Sequence, residues 1–240
     1  MQARREAQAR AQRERDSAKP KATRAASRKG EAIKKMKVQP ANRRLGILLS
    51  GRGSNFDAIA DQITSGKLRA EIAIVISNVE SAPGLEHARA RGLNAVYIPS
   101  RQRAREDFDR DAVEVLRKHQ VSLVVLAGFM RILSRVFIEA FPYGILNIHP
   151  SLLPAFPGTD VQQKALDYGA RFSGCTVHFV DDTLDGGPIV SQATVSVLDD
   201  DTAETLSARI LKEEHRIYSE AIGLVLSGRC EIVGRRVVVK

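Results

Sequence analysis

Two polar residues able to do chemistry stand at the end of a short apolar run, within GILNIHPSLLPAFPG at residues 144–158. Side chains alternate along a strand, so Asn147 and His149 should point to the same side. Pro150 then stops the strand, because proline lacks a backbone donor. An amide can donate to a developing oxyanion, and an imidazole exchanges protons near neutral pH. The pair suits a reaction through a tetrahedral intermediate, although a single histidine is also a common structural hydrogen-bonder.

A glycine-rich turn, SGRGSN at residues 50–55, follows the first apolar run. Gly51 and Gly53 would let backbone N–H groups approach an anion, and the following helix N-terminus adds about half a positive charge. Phe56 stands where a dinucleotide-binding motif has its third glycine. The turn therefore predicts a site for a single phosphate, with a tight turn capped by Ser54 or Asn55 as the alternative.

Two more segments can border a site. In DDTLDGG, at residues 181–187, Asp185 precedes a diglycine, and a carboxylate beside an imidazole favours its charged form. Asp-Gly-Gly is also a common sequence in turns without any function. The segment AGFMRIL, at residues 127–133, follows an apolar run and predicts an apolar lip where open α/β sheets bind ligands. It is equally compatible with plain core.

The remaining histidines and the cysteines indicate no metal site. No set of His, Cys and carboxylate residues has the spacing of metal ligands. His178 is expected to pack or to form internal hydrogen bonds, and we assign no function to His215. Cys175 and Cys230 indicate neither a disulfide framework nor a metal site, which favours a reducing, cytoplasmic setting.

The elements that must position these residues alternate between strand and helix from Leu45 onward. Apolar runs predict strands at 45–50, 71–77, 94–99 and 121–128, separated by amphipathic helices. This alternation predicts an α/β fold with a doubly wound, mostly parallel sheet. After Pro157 the pattern becomes mixed, with β-rich runs at 174–182 and 187–197. A long helix to Leu226, with Asp201 and Glu204 as its capping box, and a C-terminal hairpin complete the chain.

The charge of the chain lies in its first 40 residues. That segment holds 13 Lys/Arg and 4 Asp/Glu, whereas the remainder holds 24 of each, so the folded part gives no reason to expect a nucleic acid partner. Residues 1–40 lack aromatic side chains and predict a disordered basic tail ahead of a folded domain at 41–240. The alternatives are a targeting segment and upstream sequence before a start at Met36. No apolar run approaches the roughly 20 residues of a membrane span.

In their order and spacing, SGRGSN, AGFMRIL, NIHPSLLPAFPG and VHFVDDTLDGGPI resemble the phosphoribosylglycinamide formyltransferases, folate-dependent enzymes of purine biosynthesis. The resemblance runs from about Leu45 to the C-terminal region. It implies the Rossmann-like formyltransferase fold. It also implies transfer of a formyl group from 10-formyltetrahydrofolate to the amine of 5'-phosphoribosylglycinamide, without a metal. The expected partners are these small molecules, and the expected state is a monomer or homodimer.

The resemblance also implies residue roles. Asn147 would bind the oxyanion, His149 would act as acid and proton carrier, and Asp185 would keep the imidazole protonated and position a relay water. The implied substrate-binding residues are Gly53, Ser54, Asn55, Phe56, Asp57, Leu211, Lys212, Glu213 and Glu214, the last as partner of the amine. The implied folate-binding residues are Arg105, Met130, Arg131, Ile132, Leu133, Asn147, Asp181, Asp182, Thr183, Leu184 and Asp185.

Three alternatives stay open at this point. A methionyl-tRNA formyltransferase would carry a further, basic C-terminal domain, and a formyltetrahydrofolate hydrolase would carry an N-terminal regulatory domain. We expect neither domain here, and the glycine-rich turn favours a phosphorylated acceptor over both. A catalytically silent nucleotide-binding or RNA-binding module, with the basic tail as its working part, is the third alternative. Deletion of residues 1–35 would distinguish it, because unchanged formyl transfer would remove the tail from the mechanism.

Overall fold

The first half of the chain forms a parallel sheet with helices on both faces. The computed structural model describes residues 35–240. Five parallel strands lie in the order β4-β3-β2-β5-β6, with β2 at Arg44–Leu49, β3 at Glu71–Ser77, β4 at Ala95–Tyr97, β5 at Leu123–Leu126 and β6 at Ile145–His149. The connections hold helices α1 at Ser54–Thr64, α2 at Pro83–Ala90, α3 at Arg105–Lys118 and α4 at Arg135–Ala140. The predicted doubly wound, mostly parallel sheet is confirmed.

Alternate side chains of each central strand enter separate cores. Ile47 and Leu49 of β2 pack in the core that includes Phe56 of α1, whereas Leu48 packs with Phe108 of α3. Burial on both faces explains why these strands read as continuous apolar runs. The strand order reverses between β2 and β5, and such a reversal opens a crevice at the carboxyl ends of the strands.

The second half adds antiparallel strands and two helices. β7 at Phe172–Phe179 pairs antiparallel with β6, and β8 at Ile189–Ser196 pairs antiparallel with β7. Helix α5 spans Val161–Tyr168, and the long helix α6 spans Ala203–Leu226. The predicted hairpin is confirmed as β9 at Cys230–Val233 and β10 at Arg236–Val239, and Arg236 of β10 pairs with Ile189 of β8. No helix within residues 35–240 is long and apolar enough to span a membrane.

The folded part begins earlier than the predicted boundary at residue 41. Strand β1, Lys35–Lys37, pairs antiparallel with β9, and Val38 is only 5% exposed in the core. The Val38 N–H donates to the Cys230 carbonyl at 2.9 Å. The sequence KMK shows no apolar pattern, and its partner strand lies near the other end of the chain. The local sequence therefore gives no signal for this strand. Predictions for residues 1–34 lie outside the described residues.

The cap of α6 differs from the predicted Asp201–Glu204 box. Thr202 is the N-cap, and it exchanges hydrogen bonds with Thr205, backbone to side chain, at 2.9 and 3.3 Å. The Asp201 carboxylate instead accepts two hydrogen bonds from Arg209, at 2.7 and 2.8 Å, and one from the Leu198 N–H at 2.8 Å. Arg209, nearly two turns into the helix, draws the carboxylate away from the capping position.

The ion pair between Asp201 and Arg209 predicts a pH-dependent contribution to stability. Hydrogen bonds from Arg209 hold the pKa of Asp201 below its ordinary value of 3.8. A lowered folded-state pKa stabilises the fold above pH 3.8, and this contribution disappears as the pH falls further. We expect Asp201→Asn to lower the melting temperature at pH 7, with a difference from wild type that shrinks below pH 3.8. Thermal denaturation over this range, with Asp200→Asn as control, measures it, and a constant difference would contradict the assignment.

Candidate active site

Asn147 and His149 stand at the carboxyl end of β6, in the crevice beside the strand-order reversal. Asn147 lies opposite His178 of β7, and His149 lies opposite Thr176. Both side chains line the same cavity, as their alternate positions in the strand predict. Leu126 of β5 is in register with Asn147, so the segment after β5 begins beside the amide. The parallel pairing of β5 and β6 therefore brings the predicted apolar lip to the polar pair.

Asp185 meets His149 across this end of the sheet. The His149 Nδ1 lies 3.5 Å from Asp185 Oδ2, an ion-pair distance longer than a hydrogen bond, and the two side chains are only 6% and 10% exposed. The second ring nitrogen, Nε2, donates to the Phe156 carbonyl at 2.9 Å. Asp185 Oδ2 also accepts from the Gly158 N–H at 2.8 Å. Both ring nitrogens thus face acceptors, an arrangement that suits an imidazolium with its two donors.

His178 is a member of the site that sequence analysis placed among internal packing residues. Its Nδ1 donates to the Phe179 carbonyl at 2.9 Å, which leaves the Nε2 lone pair facing the Asn147 Nδ2 at 3.3 Å. Burial lowers the pKa of His178 and favours its neutral form. The imidazole therefore orients the amide group and leaves its second N–H available. Only the register of β6 against β7 reveals this contact, and no local sequence signal gives that register.

A cavity of about 690 Å³ opens beside these residues. Met130, Ile132 and Leu184 expose apolar side chains on its rim, and Met130 is 77% exposed. Of the predicted folate-binding residues, ten line this cavity: Met130, Arg131, Ile132, Leu133, Asn147, Asp181, Asp182, Thr183, Leu184 and Asp185. The volume falls in the range of pockets that enclose a drug-sized ligand.

Arg105 is the predicted folate-binding residue that does not line this cavity. It is the first residue of α3 and is exposed. Arg131 lines the cavity, but its guanidinium carbon also lies 4.9 Å from the ring centre of Phe108 on α3. In this structure, α3 supports the rim through Phe108 and not through its first residue.

The glycine-rich turn has the backbone that an anion site needs. Gly53 adopts a φ of 82°, and a Cβ at this position would approach the Gly84 Cα to 2.7 Å, so only glycine fits. Gly53 itself is the N-cap of α1, without a side-chain capping hydrogen bond. The predicted capping by Ser54 or Asn55 is therefore wrong, and the first-turn N–H groups stay available for a ligand.

Asn55 connects this turn to the long helix. Its Nδ2 donates to Glu214 Oε2 of α6 at 2.7 Å, and Glu214 is only 7% exposed. Burial raises the pKa of Glu214. The hydrogen bond from Asn55 and the nearby charge of His149 act in the opposite direction and lower this pKa. The predicted phosphate turn, the predicted amine partner and the predicted catalytic histidine thus belong to one neighbourhood.

Other predicted substrate-binding residues are held by the protein itself. Phe56 is fully buried in the core, so it can offer a ligand only its backbone. The Asp57 carboxylate pairs with His87 Nδ1 at 2.8 Å and with Arg91 at 3.3 Å. Glu213 pairs with Arg216 at 2.6 Å on the surface of α6, Lys212 is exposed and Leu211 is half-buried. Within residues 35–240, no group of three His, Cys, Asp or Glu side chains is placed to hold a metal ion.

Comparison with known proteins agrees with this geometry. The sequence model of the family described as "Formyl transferase" matches residues 43–222. Phosphoribosylglycinamide formyltransferase of Escherichia coli (strain K12) is 41% identical over 187 residues, which cover 78% of this chain and 88% of that protein. The trifunctional purine biosynthetic protein adenosine-3 of Bos taurus is 43% identical over 192 residues, 80% of this chain, but the chain spans only 19% of its length.

A solved structure shows the same fold. Glycinamide ribonucleotide transformylase 1 from Symbiobacterium toebii superimposes with a TM-score of 0.81 at 49% identity, covering 82% of this chain and 94% of that one. The resemblance drawn from the four motifs is confirmed, and the chain belongs to the formyl transferase family, as a relative of its phosphoribosylglycinamide formyltransferases.

Proposed function

We propose that this protein transfers the formyl group of 10-formyltetrahydrofolate to the amine of 5'-phosphoribosylglycinamide. The products are formylglycinamide ribonucleotide and tetrahydrofolate, in a step of purine biosynthesis. The observation that supports this most is the meeting of Asn147, His149 and Asp185 at the end of β6, beside a cavity of about 690 Å³. An amide donor, an imidazole and a carboxylate around one point are the groups that acyl transfer requires.

Each side chain has one role in the proposed mechanism. The substrate amine attacks the formyl carbon, a new C–N bond forms, and the carbonyl electrons move to oxygen. The Asn147 amide donates to this oxyanion, with His178 fixing the orientation of the amide. As the carbonyl re-forms, the bond from carbon to the folate N10 breaks. His149 carries the proton lost by the amine toward that nitrogen, and Asp185 stabilises the imidazolium and positions a relay water.

Binding of the two substrates is proposed on opposite sides of this centre. The apolar rim around Met130 and Leu184 suits the flat ring system of a folate. The first turn of α1 suits the phosphate, because its N–H groups have no side-chain cap. Glu214, between that turn and His149, is proposed to hold the amine end of the nucleotide.

The direct test mixes purified protein with 10-formyltetrahydrofolate and follows the release of tetrahydrofolate. We expect release that depends on added phosphoribosylglycinamide. Release with methionyl-tRNA alone would favour the tRNA formyltransferase, and release with neither acceptor would favour the hydrolase. The dephosphorylated glycinamide riboside is a matched control, and we expect a much higher KM for it if the turn at Gly53 binds the phosphate.

Glu214→Gln is expected to separate activity from stability. Glutamine keeps an acceptor for the Asn55 amide. It removes a buried carboxyl group whose pKa is raised from 4.5. A raised carboxylate pKa means that the folded state loses stability as the pH rises above 4.5. We therefore expect the variant to be at least as stable as wild type at pH 7, with kcat/KM for phosphoribosylglycinamide reduced by about 10²-fold.

Steady-state kinetics and thermal denaturation at pH 7 measure both properties. Glu220→Gln, an exposed carboxylate on the same helix that pairs with Arg216, is the control. An E214Q variant that is less stable but fully active would contradict the role given to Glu214.

A cytoplasmic location, a monomeric or homodimeric state and the absence of a nucleic acid partner belong to the same proposal. Both cysteines, Cys175 and Cys230, are free and buried, in keeping with a reducing compartment. Residues 41–240 are proposed as the catalytic domain, joined by the strand at Lys35–Lys37. Residues 1–34 are proposed as a basic tail without a role in catalysis.

A further inference from the structure

The turn of the C-terminal hairpin touches the loop that carries Asp185. The Arg235 guanidinium, between β9 and β10, donates a hydrogen bond to the carbonyl of Gly186. Gly186 directly follows Asp185 in the chain, so this contact joins the hairpin to the residue after Asp185. The hairpin lies beyond the residues 43–222 that match the family. The contact therefore joins a segment beyond the matched residues to Gly186, which lies within them.

The loop at 181–187 needs support to hold Asp185 in place. Asp185 adopts a φ of 49°, a left-handed conformation that costs a residue other than glycine about 1 kcal/mol or more. Two short-range hydrogen bonds shape the loop, from Thr183 N–H to Asp181 at 2.9 Å and from Gly186 N–H to the Thr183 carbonyl at 3.1 Å. The loop also carries three carboxylates, which repel one another. The Arg235 guanidinium at the Gly186 carbonyl opposes both the strain at Asp185 and the repulsion among the carboxylates.

The hairpin is itself firmly attached, so it can serve as a support. Ile232 and Cys230 of β9 are buried in the main core. β1 pairs with β9 on one side, and Arg236 pairs with Ile189 of β8 on the other. Because β8 begins two residues after Gly187, the hairpin and the Asp185 loop are anchored to the same strand end.

We propose that Arg235 is a positioning residue for the formyl transfer reaction, acting through the Gly186 carbonyl on the Asp185 loop. The proposal rests on the function proposed above, since it gives the Asp185 carboxylate a catalytic task. Small displacements matter in such a task, because a 1 Å shift of a catalytic group can cost on the order of 10²-fold in rate. An exposed charged hydrogen bond holds the loop only part of the time, so the loss of Arg235 should have a smaller effect than that.

The experiment compares Arg235→Ala with Arg236→Ala. Arg236 is the adjacent exposed arginine, and its side chain forms no hydrogen bond or ion pair within residues 35–240. Hydrogen exchange of peptides covering 181–187 is measured first, because it reports on the loop whatever the protein's activity. We expect faster exchange in R235A than in wild type or R236A, at unchanged melting temperature. Arg235→Lys, which keeps a cationic donor, should restore most of the protection.

Kinetics then test the consequence for the reaction. We expect kcat/KM for 10-formyltetrahydrofolate to fall about 3- to 10-fold in R235A, with the KM for phosphoribosylglycinamide equal to that of R236A. Exchange at 181–187 equal to that of R236A would overturn the proposal, as would faster exchange with unchanged kinetics. A wild-type protein inactive with phosphoribosylglycinamide would instead count against the proposed function, while the exchange data would still decide whether Arg235 holds the loop.

Discussion

Replacement of Asp185 by asparagine is expected to lower kcat by about 10²-fold or more. Asparagine has the same shape and its side-chain oxygen can still accept from the Gly158 N–H, so the loop should keep its conformation. The variant loses the negative charge that lies 3.5 Å from the His149 ring in a site where both side chains are nearly buried. Without that charge, the imidazolium that we propose as the proton carrier is less stable. Steady-state kinetics with both substrates saturating measures the effect.

The matched control is Asp199→Asn. Asp199 is an exposed aspartate that pairs with Arg171 on the surface, away from the cavity. We expect this control to keep wild-type kcat, and both variants to keep the wild-type melting temperature within a few degrees. Near-normal turnover by D185N would rule out the role given to the carboxylate.

Asn147→Ala is expected to reduce kcat by about 10²- to 10³-fold with little change in either KM. Removal of one donor to an oxyanion typically has this magnitude, because the donor acts on charge that develops only in the transition state. His178 cannot take over the task. Its Nδ1–H is committed to the Phe179 carbonyl, and burial lowers its pKa, so its Nε2 presents a lone pair.

Asn94→Ala serves as the control for the loss of an asparagine side chain. The Asn94 amide donates to the Ala73 carbonyl at 3.3 Å, outside the residues that line the cavity. A KM for either substrate that rises in proportion to the loss in kcat/KM, at wild-type kcat, would show that Asn147 binds a ground state and not the oxyanion.

The sequence predicts the elements whose causes are local. Continuous apolar runs such as 71–77 and 121–128 are typical of parallel strands buried on both faces, and they are found as β3 and β5. The alternation of Asn147 and His149, stopped by Pro150, is likewise a local feature that places both side chains at a strand end. The four motifs then connect the pair to Asp185, which no local rule places beside His149.

Features that depend on contacts between segments far apart in the chain could not be predicted from the sequence. Strand β1 is three residues of KMK, which become a strand only because β9 offers an edge. The contact of Asn147 with His178 follows from the register of two antiparallel strands, and the contact of Arg235 with Gly186 follows from the attachment of the hairpin. The N-cap of α6 is Thr202 because the Asp201 carboxylate is engaged by the Arg209 guanidinium and by the Leu198 N–H, away from the helix N-terminus.

Some residues were predicted to bind a ligand only because they lie in a motif shared with the family. Their side chains differ in whether they are free to reach that ligand. Ser54 and Gly53 offer backbone and hydroxyl donors at the start of α1, whereas Phe56 is packed in the core. Asp57 is held by His87 and Arg91, so its carboxylate supports the attachment of α1 to α2. A motif names the segment near a ligand, but only the folded arrangement separates the residues that can touch it from those that hold the segment.

The fate of the formyl carbon tests the central claim most directly. With 10-formyltetrahydrofolate labelled at the formyl carbon with ¹³C, NMR of a reaction containing phosphoribosylglycinamide distinguishes a new formamide from free formate. The account predicts that the label appears in the formamide of the nucleotide in step with the tetrahydrofolate released, and that D185N and N147A slow its appearance by at least about 10²-fold. Label that accumulates as formate, or that reaches the nucleotide at wild-type rates in both variants, would contradict it.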